Sequence, residues 1–180
     1  MKFFPEKKMP YIVFSDHTSG LIEWLIKFRT KGHYNHVMFS HRQEFFASQG
    51  ILYSETPFRR YMKKGNRLKF VEIIGFSDAQ KLMVIESIKK KLALPFYKRI
   101  YDFLGIIGQA VGVGIINVPW YDYCSEDVPE HLKAAIITDA DLKSVITAMP
   151  THMNPESFNA YLKKFPQYFK VAYKWDSDAA

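Results

Sequence analysis

Apolar and polar positions change their period several times along this chain, and each change predicts a different element. Pro10-Tyr-Ile-Val-Phe14 reads as a short strand. Thr18 or Ser19 can cap a helix in which Leu21, Trp24, Leu25 and Phe28 recur at helical spacing. His33 to Ser40 alternates as a strand does, and so does Glu44 to Gln49, with His41-Arg42-Gln43 as the turn between them. Gly50 interrupts before Ile51 to Ser54. Thr56-Pro57 then opens a short helical stretch, because proline suits a first helical position. Leu68 to Ile74 is a further strand.

Ser77-x-x-Gln80 carries the capping-box pattern. It predicts a helix whose apolar stripe is Leu82, Ile85, Ile88 and Leu92, with Lys89 to Lys91 mostly on the other side. Asn154-Pro155 starts another helix, through Leu162, and Gln167 to Trp175 closes the sheet. Strands and helices mix without a regular βαβ alternation, so the expected class is α+β. The expectation is one domain over residues 1–180, with 1–9 and 176–180 loosely ordered. An antiparallel sheet of about five strands, with helices packed on it, fits that pattern.

One stretch has no clear period. Phe103 to Tyr121 is free of charge and close to the length of a membrane span. Gly105, Gly108, Gly112 and Gly114, with Gln109, Asn117 and Pro119, make it a poor helix. A buried or pocket-lining role ranks first, peripheral membrane contact second and a true span third.

Composition alters this picture in two ways. The net charge of +7 makes acidic partners plausible, although the basic clusters Lys7-Lys8, Arg59-Arg60, Lys63-Lys64, Lys89-Lys90-Lys91 and Lys163-Lys164 read first as solvated surface. A single cysteine excludes an intramolecular disulfide, so folding does not depend on an oxidising compartment. The first ten residues have lysines but no apolar run of the secretory kind, so the expected location is cytoplasmic.

That one cysteine, Cys124, sits in Trp120-Tyr-Asp-Tyr-Cys-Ser-Glu-Asp127, where the glycine-rich stretch gives way to a helical pattern. Backbone N–H groups at a helix start favour thiolate over thiol, which makes a nucleophile. A nucleophile needs a base. Of the six histidines, His36 is the best placed, inside the strand-like Tyr34-Asn-His-Val-Met-Phe-Ser40. His33, His36 and His41 are three and five residues apart, and odd separations on a strand alternate faces, so they do not form a zinc site. No metal or cofactor is expected.

Ile26-x-x-x-Thr30-x-x-x-Tyr34-Asn-His-Val37, then Thr56-Pro57, then Pro95-x(5)-Tyr101-Asp102, then Tyr123-Cys-Ser-Glu126 resembles the circularly permuted papain-like hydrolases. These are relatives of the NlpC-type cell-wall peptidases and of the lecithin–retinol acyltransferase group. The resemblance implies a permuted papain-like fold with Cys124 as nucleophile and His36 as base. It also implies a third polar residue, on the next strand, that orients the imidazole. A three-residue turn pairs Ser40 with Glu44 and so His36 with Ser48; one more turn residue puts Gln49 there instead. Tyr101 and Tyr123 are candidate hydroxyl donors to an oxyanion. This chain departs from the family in having Asn35 before its histidine. Pro129, five residues after Cys124, is expected to cut the cysteine helix to one short turn, with a second helix starting there.

The expected activity is hydrolysis or transfer at an amide or ester through a thioester on Cys124, acting on a small-molecule, peptide or lipid acyl substrate. Its rivals are a membrane-surface lipid acyltransferase or lipase, in contact with anionic lipid, and an inactive binding module of the same fold. A nucleic-acid partner is set aside, because only the charge and the aromatics speak for it, without a recognised motif.

Overall fold

In the computed structural model the described residues are 8–16, 33–49, 52–63, 65–99, 124–149 and 153–176, with 49 and 124–126 described by their backbone alone. The strands are β1 (Tyr11–Ser15), β2 (His36–Arg42), β3 (Phe45–Gln49), β4 (Tyr53–Pro57), β5 (Arg67–Ile73) and β6 (Phe169–Asp176). The α-helices are α1 (Asp78–Leu92), α2 (Cys124–Lys133), α3 (Ala140–Thr147) and α4 (Pro155–Lys163). The strands form one antiparallel sheet in the order β4-β3-β2-β1-β5-β6. The α+β class and the antiparallel sheet are as expected; the sheet has six strands rather than about five. The expected helix after Thr18, the stretch from Phe103 to Tyr121, and Tyr101 and Tyr123 lie outside the described residues.

Alternation along each strand divides the core in two. Ile12 and Phe14 of β1, Val37 and Phe39 of β2, Ala47 of β3 and Val71 and Ile73 of β5 point to one face. There they meet Val84 and Ile88 of α1, Val128 and Leu132 of α2, Leu142 of α3 and Phe158 of α4. Tyr11, Val13, Met38, Phe46, Leu68 and Phe70 point to the other face, with Trp175 of β6 paired beside Leu68, and there they cluster with Met9, Phe58 and Tyr61. All four described α-helices thus contribute to one face of the sheet, and the connecting segments that carry Met9, Phe58 and Tyr61 pack against the second.

The β2–β3 hairpin corrects the expected turn. It closes on Gln43-Glu44 alone, with Arg42 paired to Phe45 and Glu44 in the left-handed region at φ 65°. A bulge between Ser40 and Arg42 takes up the extra residue, so Ser40 pairs with Phe46 rather than Glu44. The register moves by two, which keeps every side chain on its expected face.

Helix α1 forms where the capping box predicts. The Gln80 amide donates to Ser77 Oγ at 3.3 Å, and the Ser77 amide donates to Gln80 Oε1 at 2.8 Å. Its buried side differs from the predicted stripe: Lys81, Val84, Ile88 and Lys91 are buried while Leu82 is 59% exposed. Lys91 turns inward because it has an acidic partner there, described below.

Helix α2 also differs from expectation. It runs unbroken from Cys124 to Lys133 with Pro129 inside it. So close to the helix start, proline forfeits one intrahelical bond, to the carbonyl of Ser125, and the packing of Val128 and Leu132 holds the next turn in place. Asn154 caps α4, its Oδ1 accepting from the Ser157 amide at 2.8 Å, with Pro155 as first helical residue. Among the described residues no helix is long and apolar enough to cross a membrane.

Candidate functional site

Cys124 is the first residue of α2, the place the sequence predicts for it. The helix lies against β2 and β3: Val128 and Leu132 share a cluster with Val37, Phe39 and Ala47, and the His131 ring meets Phe39 edge-on at 5.8 Å. Its direction follows from its neighbours. At its C-terminal end, the Ile136 carbonyl accepts from Gln80 Nε2 at 2.9 Å and the Ile136 amide approaches Met83 Sδ at 3.4 Å. Those two residues belong to the first turns of α1, which begins just after the Ile73 end of β5, beside Tyr11 and Ser40. The N-terminal end of α2 meets Lys91, in the last turn of α1. Cys124 is therefore directed toward the end of the sheet where Ser15, His36 and Leu68 lie.

His36 opens β2, paired with Ser15 across the β1 ladder. The approach to it is fixed by Glu156 in the first turn of α4, whose carboxylate accepts from the His33 amide at 2.9 Å and the Tyr34 amide at 3.2 Å. The Asn35 amide then donates to the Ser15 carbonyl at 3.0 Å. The His36 ring is half-buried and stacks on Tyr61, with centroids 6.5 Å apart and planes 13° from parallel. Tyr61 belongs to the second face. His36 and Cys124 are thus brought to one end of the sheet, but the imidazole and the packing side of the cysteine helix lie on opposite faces of β2.

Ser48 is buried on β3, opposite Ser54, on the face of Phe46 and hence of His36. With Phe39 opposite Ala47, continuing the register sets Ser48 level with Met38, two residues from His36 along the strand and not opposite it. Gln49 pairs with Tyr53 through its backbone.

The polar cluster that does form lies in α2 itself. Asp127 and His131, one turn apart, are each 1% exposed. Asp127 Oδ1 is 2.8 Å from Lys91 Nζ and 3.3 Å from His131 Nε2. His131 Nε2 is also 3.0 Å from the Tyr53 hydroxyl, and its Nδ1 is 2.8 Å from Ser87 Oγ. Lys91 further reaches Glu130 at 3.0 Å and lies 5.1 Å from the centre of the Tyr53 ring. Burial alone would push the Asp127 carboxyl up, but the bonds and charges of His131 and Lys91 outweigh it and hold the group below the usual carboxylate range. Burial, with Asp127 and Glu130 close by, pushes the Tyr53 hydroxyl far up.

Sequence reasoning missed this cluster. Its one local signal is Asp127-x-x-x-His131, a helical i,i+4 pair. Lys91 and Tyr53 lie on distant segments and carry no such signal.

Two other buried ionisable side chains stand apart. His41 Nε2 is 2.8 Å from Glu55, which Arg42 also binds, and burial holds the His41 ring below its ordinary value. Lys69 donates to Asn159 Oδ1 beneath the rings of Phe14 and Tyr34, 4.9 and 5.6 Å from its ammonium. Among the described residues no group of three His, Cys, Asp or Glu side chains could hold a metal ion. Compared with protein-family models and with curated proteins, the chain finds no match in either.

Proposed function

We propose that this chain is a cysteine-dependent hydrolase or acyltransferase of the permuted papain-like kind, with Cys124 as nucleophile and His36 as base. The observation that carries the reading is that Cys124 is the first residue of a helix seated on the strand that His36 opens. A helix start favours thiolate, and strand pairing restrains the imidazole's backbone. In this reading His36 takes the thiol proton and the thiolate adds to an amide or ester carbonyl. The tetrahedral oxyanion collapses, expelling the amine or alcohol, which leaves with the proton from the imidazolium. Water, deprotonated by His36, then hydrolyses the thioester, or an acceptor alcohol or amine takes the acyl group. Ser48, on the face of His36, is the orienting residue, and the Tyr101 and Tyr123 hydroxyls are donors to the oxyanion.

A second reading is favoured by a specific observation. The stacking of His36 on Tyr61, away from the face that holds α2, suits an inactive relative that binds its ligand without bond cleavage. The two readings separate on the rate of iodoacetamide alkylation of Cys124 against pH. The hydrolase reading expects half-maximal reactivity well below the ordinary thiol value of about 8.5, moving back toward it in His36→Ala. An ordinary titration in both proteins would overturn the hydrolase reading in favour of the binding module.

A further inference from the structure

The ion pair between Lys91 and Asp127 has no part in the proposed chemistry, and its surroundings point to a use. Lys91 is 8% exposed and Asp127 1%. Two charges withdrawn this far from water cost free energy that their mutual attraction scarcely recovers, and an apolar pair of similar volume commonly serves stability as well. Asp127 lies one turn after Cys124 in the same helix, and positions three apart are neighbours on a helix surface. A carboxylate at that spacing opposes thiolate formation, against the favour of the helix start. Lys91, arriving from α1, cancels that opposition.

We propose that Lys91 is a positioning and charge-balancing residue for Cys124, acting through Asp127 to keep the thiol at low pKa. The proposal rests on reading Cys124 as a nucleophile. Every titratable group near Asp127 enters the balance: Lys91 from α1, Tyr53 from β4, and Glu130 and His131 from its own helix. Glu130 is largely exposed, so solvent screens it, and Tyr53 stays neutral because its hydroxyl is pushed up. Asp127 and Lys91 are the two buried, opposed charges.

This arrangement makes a prediction of sign that mere packing does not. Lys91→Met leaves the carboxylate with His131 and should raise the pH of half-maximal alkylation of Cys124 by about one. Asp127→Asn leaves the ammonium and should lower it by a similar amount. Lys91→Met combined with Asp127→Asn should return it close to the parent value, and Lys91→Arg should leave it unchanged. Alkylation against pH would be measured on the full chain, with melting temperature followed alongside. Opposite shifts that cancel in the double variant support the proposal. Shifts of one sign, or lower melting temperatures with no shift, overturn it. Should Lys91→Met fail to fold, a downward shift in Asp127→Asn with an unchanged Lys91→Arg carries the same support, and no shift or an upward one in Asp127→Asn overturns it. Failure of the nucleophile reading shows separately, as a parent protein that titrates at the ordinary thiol value and ignores His36→Ala.

Discussion

Lys69 shows most directly what a single residue costs when it is buried. It lies on β5 with its ammonium under two aromatic rings, and desolvation, reinforced by Lys163, lowers its pKa from 10.5 to about 8. Between those values the unfolded chain holds a proton that the folded chain does not, so folding stability rises with pH across that window. Below about pH 8 both states are protonated and the full penalty, about 3 kcal/mol, applies. Lys69→Met should therefore lose stability relative to the parent as pH rises from 7 to 9.5, by about 2 kcal/mol. Urea unfolding at the two pH values measures this; an equal difference at both would contradict it. The measurement stops below pH 10 because Tyr11, pushed up by burial to about 12, removes stability above that point. Nothing local in Leu68-Lys-Phe-Val71 distinguishes Lys69 from a solvated strand lysine. Its partner Asn159 is ninety residues away, and only the packing of α4 makes the site.

At the scale of elements, local signals read well and the faces they present read less well. The Ser77 box and the Asn154-Pro155 cap form as the sequence predicts, because a cap is satisfied within four residues. Which side of α1 is buried is another matter. Leu82 is more apolar than Lys81, yet the helix buries Lys81 and Lys91, and the pairing of Lys91 with Asp127 offsets the loss of a leucine contact. The connection from β5 into α1 shows a related constraint at Gly75. A Cβ added there would lie 2.8 Å from Leu142 Cδ2 and 2.9 Å from Tyr168 Cδ1, so α3 and the turn before β6 close on the bare backbone. Gly75→Ala should cost about 1–3 kcal/mol, read as a lower urea midpoint at unchanged slope. A midpoint equal to the parent's would mean that both side chains move aside freely.

Among the described residues the inner strands of the sheet are buried on both sides while β6 is largely exposed, although all four described α-helices contribute to one face. Phe14, on the helix side, and Phe70, on the other, are both fully buried. Phe14→Ala and Phe70→Ala should each destabilise by about 3–5 kcal/mol, compared by urea unfolding. A much smaller loss at Phe70 would show that the second face closes only loosely over its residues. The same division into faces decides how the candidate site reads. The sequence places a cysteine at a helix start and a histidine inside a strand; the structure starts that strand at His36 itself, and the fold brings both to one end of the sheet. It does not set the imidazole on the packing side of the cysteine helix, which is why thiol reactivity is the test on which the function turns.

By itself the sequence determined the α+β class, most element positions, the caps, and Cys124 as the first residue of a helix. Those features depend on periods and pairs a few residues long, where the chain is its own environment. Only the tertiary structure decided the hairpin register, the buried side of α1, and the Asp127–His131–Lys91–Tyr53 cluster. Each of these depends on which distant segment arrives to share a face. A buried charge is stable only where an opposite charge or a hydrogen-bonding partner is supplied from elsewhere in the chain.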